Sequence, residues 1–420
     1  MLTVNRAAKY WVVCAVMLVA TLGVSGDWPA FRGGDVQAVG QGTGYAVEWN
    51  SRDNVIWRTP IAGEGWSSPV VVNDRIYLTA AVESGGIKYH AICLDAGNGE
   101  VIWNRELFTQ DRALGAAQHQ KNSAASPTPV VEGDYLFVHF GSQGTACLTT
   151  DGEPVWVNRT LGYEPVHGNG GSPIIVGNKL IFTADGQSNP EVIALDKSTG
   201  RVAWRTPRGA DVQNKFSFST PLAIEVSGQQ QVVAPGSGAV YGYDPNSGVA
   251  LWAVGYGGGF SVVPQPVYAN GLLFVSTGFV RPNLLAINPD GARGDVTQSS
   301  VVWSTGRGAP LTPTPVAVGD ELYVVSDQGI ASCMDAATGH VHWQQRIGGN
   351  YSASPISVEG RVYFFSEEGD VTVVAADTSF REIAKNRMDE RLFATPAPVG
   401  GMLFIRSEGA VYRVEPSRIR

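Results

Sequence analysis

The chain falls into short runs in which apolar and polar side chains alternate with a period of two, the spacing of a strand with one buried face. No apolar period of 3.6 residues is sustained beyond the N-terminal stretch, so long helices are not expected. The runs recur in one order. Ser, Thr or Gln precedes Pro and an apolar strand; a Gly/Asn/Asp turn leads to a second strand such as Arg75-Ile76-Tyr77-Leu78. A third strand then ends in Asp or Asn, and a Gly turn leads to a fourth strand carrying Trp. The opening prolines are Pro69, Pro127, Pro173, Pro221, Pro266, Pro315, Pro355 and Pro396, 40 to 58 residues apart. The fourth-strand tryptophans are Trp103, Trp156, Trp204, Trp252, Trp303 and Trp343.

Four short strands joined by hairpin turns make one twisted antiparallel sheet whose two apolar faces need neighbours. A ring of such sheets buries both faces and leaves only short edges. The pattern therefore predicts an all-β fold, an eight-bladed β-propeller of four-stranded antiparallel blades over residues 54–416. The last copy stops before any Trp strand, while residues 54–60, with Trp57, form a Trp strand with nothing before it. Residues 54–60 are expected to join the last blade and close the ring. The seventh copy is degenerate, with Arg381-Glu382-Ile383-Ala384-Lys385 where its Trp strand belongs.

Composition changes this picture mainly at the start of the chain. Residues 1–26 read as a signal peptide: Arg6 and Lys9 precede an apolar run of 15 residues from Tyr10 to Val24, and Val24-Ser25-Gly26 offers small residues for cleavage. A bilayer span wants about 20 residues, so no stable membrane insertion is expected after cleavage. Residues 27–53 then form an N-terminal extension and residues 417–420 a tail. A periplasmic or secreted monomer is the expectation. The net charge of −8, with no Lys/Arg run, excludes non-specific nucleic-acid binding. Cys93, Cys147 and Cys333 each precede a Trp by nine or ten residues. Equivalent positions of different repeats stay apart, so three buried free thiols are expected.

The segment Ala194-Leu195-Asp196-Lys197-Ser198-Thr199-Gly200-Arg201-Val202-Ala203-Trp204, and its copies ending at Trp252 and Trp343, resembles the repeat of pyrroloquinoline-quinone (PQQ) dehydrogenases and of the outer-membrane assembly lipoprotein BamB. Trp28-Pro29-Ala30-Phe31-Arg32-Gly33 is similar to the opening of a group of exported PQQ-like propeller proteins. The resemblance implies the propeller fold. It implies function less strongly, because one fold hosts many activities.

In PQQ enzymes the resemblance implies a quinone held over Ca²⁺ with an Asp base nearby. Calcium wants six to eight oxygen ligands. Most acids here (Asp95, Asp151, Asp196, Asp244, Asp335) fall in repeat turns, where bonding to the turn backbone accounts for them. Glu64, Glu164 and Asp211 fall in inter-blade loops without a distinctive constellation. No cofactor and no metal site is expected, with PQQ and calcium kept as the alternative.

A site would lie where the loops entering each innermost strand meet the axis. Trp66, Lys121, Asn122, His167, Asn169, Lys215, Phe216, Tyr351 and Arg391 are the candidate ligand-binding residues. Lys121, Lys215 and Arg391 suggest a cationic ring for a small anionic ligand or a carboxylate-bearing peptide. No catalytic residue is assigned. The leading expectation is a non-enzymatic binding or scaffold propeller for an envelope protein or peptide. The rivals are a PQQ-dependent oxidoreductase with an atypical site and a carbohydrate-binding propeller resting on Trp66 and Tyr351.

Overall fold

The computed structural model describes residues 26–50, 52–110, 118–209, 212–279 and 281–416. The expected signal sequence up to residue 25, the tail and Asp211 lie outside the described residues. Eight sheets follow one another around a single axis: residues 70–110, 130–158, 174–207, 222–255, 267–305, 316–346, 356–387 and 397–414 form blades 1 to 8. Among the described residues no helix is long and apolar enough to cross a membrane.

Blade 3 shows how the alternating pattern builds the ring. Strands Ile174–Val176, Lys179–Ala184, Glu191–Asp196 and Val202–Pro207 pair antiparallel in chain order. Leu180 and Phe182 face blade 2 and pack with Phe137 and Cys147. Ile181 and Val192 face the other way, against Val232 and Tyr243 of blade 4. A period of two thus feeds two inter-blade cores at once.

The motif that carries the family resemblance is a docking device. Asp196 Oδ1 accepts the backbone N–H groups of Ser198 and Thr199, which shapes the turn. Gly200 has φ 68°, and a Cβ there would lie 2.4 Å from the Trp156 ring of the preceding blade. Trp156 in turn donates its indole N–H to Lys197 O at 2.8 Å. Trp103, Trp204, Trp303 and Trp343 donate likewise to Thr150, Pro245, Ala336 and Asp377 of the following blade.

Ring closure reuses this device. Val55–Pro60 pairs antiparallel with Ala410–Val414 as the outer strand of blade 8. Trp57 donates to Ala96 O at 3.2 Å, and Gly99 lies under its ring. The last blade therefore docks on the first as blades 1, 2, 3, 5 and 6 dock on the blades that follow them, whereas Trp252 of blade 4 donates to Gln231 Oε1 of its own blade. The degenerate seventh blade has Ala384 at the Trp position, and Trp49 from the extension stacks on its Tyr363 with centroids 6.1 Å apart.

Two details depart from the sequence expectation. Blade 2 opens at Pro129, not Pro127, because Val130–Glu132 is its first strand. Two Thr/Ser-Pro pairs adjoin in Ser126-Pro127-Thr128-Pro129, and only the second abuts the strand. Blade 4 has five strands: Gly294–Asp295 from blade 5 pairs parallel with its outer strand, Ala250–Gly255, and leaves Trp252 fully buried. Cys93, Cys147 and Cys333 are free and buried, and burial pushes the thiols of Cys93 and Cys147 up to about 12 and that of Cys333 up to about 11.

The residue before each opening proline staples neighbouring blades. The N–H of Ser68 donates to Thr128 Oγ1, that of Thr128 to Ser172 Oγ, and that of Ser172 to Thr220 Oγ1. On the far side Gln265 N–H donates to Thr314 Oγ1, Thr314 N–H to Ser354 Oγ, and Ser354 N–H to Thr395 Oγ1. All six bonds are 2.9 to 3.0 Å long. These residues lie at the inner ends of the blades, where a first strand has no further partner for its N–H.

Candidate functional site

The N-terminal extension crosses one mouth of the axial channel. Trp28 exchanges two backbone hydrogen bonds with Val71 of blade 1, and Pro29 O accepts from Val131 of blade 2. On the opposite side Ala38 and Gly40 bond Ser357 of blade 7. Between them Arg32 is fully buried and donates to the carbonyls of Thr314 and Pro315, at 3.4 and 2.7 Å, at the entry to blade 6. Gly33 has φ 91°, and the Trp28 ring lies 3.0 Å from where its Cβ would sit. The Trp-Pro-x-Phe-Arg-Gly opening is thus a plug.

Above the plug lies a funnel of about 700 Å³, with Phe31 reaching it from below. One wall is aromatic. His119, His167, Phe216, Phe260 and Phe279 form a chain of edge contacts with centroids 5.4 to 5.7 Å apart. The facing wall has Trp66 stacked on Phe393 at 4.6 Å, with the Arg391 guanidinium 4.5 Å from the centroid of Phe393. The Trp66 indole N–H has no partner among the described residues.

Lys121 links distant blades across the funnel. It lies in the connection into blade 2, held by Asn122, whose side-chain N–H donates to His167 O at 2.8 Å. Its Nζ is 2.8 Å from Glu367 Oε1 of blade 7 and 3.6 Å from Asp327 Oδ1 of blade 6. Asp327 also accepts the backbone N–H groups of Leu311 and Thr312 and the Thr312 hydroxyl, and Glu367 accepts the Ser352 hydroxyl. Arg391 lies 3.9 Å from Glu367.

Among the candidates read from sequence, Trp66, Lys121, Asn122, His167 and Phe216 line the funnel. Arg391 borders it through Phe393. The cationic ring does not form, because Lys121 is paired with two carboxylates and half-buried Lys215 is not among the lining residues. Tyr351 is buried in the core between blades, so it is no funnel aromatic. Asn169 faces a separate cavity of about 10 Å³ beside Asp185. There burial pushes Asp185 up to about 7, although Arg208 lies 3.1 Å away. Sequence reasoning missed Asp327 and Glu367. Their signal was the repeated Ser-Asp/Glu-x-Gly turn at residues 326–329 and 366–369.

The family resemblance raises a calcium-held quinone. Among the described residues Asp327 is the one carboxylate on the funnel lining, and it and Glu367 are occupied by backbone, hydroxyl and Lys121 donors. Among the described residues no three His, Cys, Asp or Glu side chains come together as metal ligands. This donor set does not assemble the oxygen cage that calcium takes.

Sequence comparison settles the family. The model described as outer membrane protein assembly factor BamB matches residues 6–156, 88–345 and 283–384. The chain belongs to this family. A BamB of Burkholderia pseudomallei (strain K96243) is 31% identical over 108 residues, which is 25% of this chain and 28% of that relative. BamB of Moraxella catarrhalis has a TM-score of 0.61 at 14% identity, covering 87% of this BamB-family chain and 98% of that one. A europium-containing methanol dehydrogenase has a TM-score of 0.54 at 12% identity, covering 92% and 90%. A computationally designed protein, Ika8, reaches 0.59 at 8% identity, covering 88% and 99%. At these identities the likeness is one of fold, shared by an assembly factor, an enzyme and a design.

Proposed function

We propose that this BamB-family propeller is a non-enzymatic, extracytoplasmic binding protein that holds a ligand or a segment of an envelope partner in its axial funnel. The observation that carries the reading is the Lys121–Glu367/Asp327 cluster inside a funnel closed below by the chain's own N-terminal extension. A concave, largely apolar site with a few convergent polar groups suits binding. Its carboxylates and Lys121 are committed to one another, which suits recognition better than proton transfer. The description of the matched family as an outer membrane protein assembly factor supports an envelope role.

Site-specific photo-crosslinking in the envelope tests this. A cross-linker at Phe393 should capture a discrete partner, and one at Val249 on the outer edge of blade 4 should not. Alcohol- or sugar-dependent dye reduction after reconstitution with PQQ and Ca²⁺ would overturn the non-enzymatic reading. Carbohydrate binding is a second reading, favoured by the stacked Trp66–Phe393 wall. Glycan binding that is lost in Trp66→Ala would establish it.

A further inference from the structure

The staple residues have a second consequence. Thr128, Ser172, Thr220, Thr314, Ser354 and Thr395 all line the funnel, yet each is at least 96% buried. Each side-chain oxygen accepts a backbone N–H. A hydroxyl that accepts still has one hydrogen to donate. None of these six donates to an acceptor among the described residues. Six hydroxyl groups, each with a hydrogen left to donate, therefore line one funnel.

Two buried cations stand behind them. Arg32 donates to Thr314 O and Pro315 O, and Arg406 donates to the carbonyl and hydroxyl of Ser67, next to the ring. Among the described residues neither arginine has a carboxylate within ion-pairing distance; exposed Asp35 acts on Arg32 from farther away. Higher in the funnel the two carboxylates, Asp327 and Glu367, are matched by Lys121 and Arg391. Counting these groups together with Asp35, four cations stand against three anions. A concave site lined by hydroxyl donors and carrying excess positive charge favours negative oxygens.

The geometry points to an oxyanion site at the floor of the funnel, in which the inward hydroxyls of the staple ring bind phosphate or sulfate groups and Arg32 and Arg406 supply the field. This rests on the proposal that the funnel binds, and it names the chemistry. The anion is either a free inorganic ion or the charged group of a larger ligand whose body contacts the aromatic walls.

Isothermal titration of the purified protein tests the site with inorganic phosphate, pyrophosphate, sulfate, glucose 6-phosphate and neutral glucose, at constant ionic strength in chloride. Saturable binding of pyrophosphate or glucose 6-phosphate, but not glucose, is expected. Tighter binding of the sugar phosphate identifies a larger ligand as the source, and tighter binding of pyrophosphate a free ion. Thr220→Val removes one donor and should weaken binding by about tenfold, while Thr220→Ser should not. Because Thr220 also staples blades, Val263→Glu is the second variant: it adds a negative charge to the lining without touching a staple and should abolish binding, whereas Val263→Gln should preserve it. No saturable anion binding by the folded protein overturns the site. Equal binding of glucose, or binding unchanged in Val263→Glu, does so too. Partner capture by the Phe393 cross-linker is scored separately. Capture without anion binding sinks only the oxyanion site, and anion binding without capture leaves only the partner in question.

Discussion

Lys121 Nζ lies 2.8 Å from Glu367 Oε1, so a side chain from the connection into blade 2 is tied to the turn between the second and third strands of blade 7. Neither neighbouring-blade contact nor local sequence brings them together. The tie spans the open end of the funnel and fixes where the loop with His119 and Asn122 rests.

Removing that cation leaves a mostly buried carboxylate with the Ser352 hydroxyl and, 3.9 Å away, Arg391. Lys121→Met should destabilise by about 1–2 kcal/mol, and adding Glu367→Gln should recover much of it. Urea denaturation of the two single variants and the double variant measures the coupling. Additive effects would show that the pair contributes nothing.

The plug depends on Arg32. Its guanidinium serves the carbonyls of Val36, Gln37, Thr314 and Pro315. Arg32→Ala should cost about 3 kcal/mol, through lost hydrogen bonds and a cavity. Limited proteolysis should then cut near residues 33–37 first. Wild-type protection in that segment would contradict the plug's dependence on the arginine.

Closure of the ring rests on a non-covalent strand. Arg58 of that strand bonds Glu390 and Tyr412. Burial alone would raise the Glu390 carboxyl, but hydrogen bonds from Ser407, Arg58 and Tyr412 hold it at about 2. Deleting residues through Pro60 should leave no folded monomer by size-exclusion chromatography. Trp57→Ala, which empties the dock over Gly99, should cost about 2–3 kcal/mol in the same denaturation assay.

His139 makes stability depend on pH. It is buried, bonded to Thr145 Oγ1 at 2.8 Å and packed on Phe182, and burial lowers its pKa to about 3. The unfolded chain protonates near the ordinary value of 6.5 while the folded one stays neutral. Its contribution is therefore intact above pH 6.5 and is lost as pH falls towards about 3, with a slope of up to about 1.4 kcal/mol per pH unit. His139→Gln should flatten that part of the stability–pH curve. An unchanged slope would assign the dependence to other groups.

Much of the fold was legible because each blade is built from local rules. The Asp-x-x-Thr-Gly turn, the Trp strand and the alternation of residues 179–184 act within or between adjacent repeats, so their spacing carries the architecture. Even closure could be read, since Trp57 belongs to the same pattern. Pro127 misled because two Ser/Thr-Pro pairs adjoin, and only strand pairing distinguishes them. Tyr351 misled because its place before a proline says nothing about the direction of its ring, which packing between blades sets.

The sequence by itself determined that eight like sheets would form and that the first strand would complete the last, because hydrogen-bonded strands and interlocking turns depend on near neighbours. Only the tertiary structure decided the site. Lys121 lies more than 200 residues from both Asp327 and Glu367, and the extension became a plug only once the ring offered Arg32 the carbonyls at the entry to blade 6. Such pairings follow from the closed geometry of the ring, which no local spacing encodes.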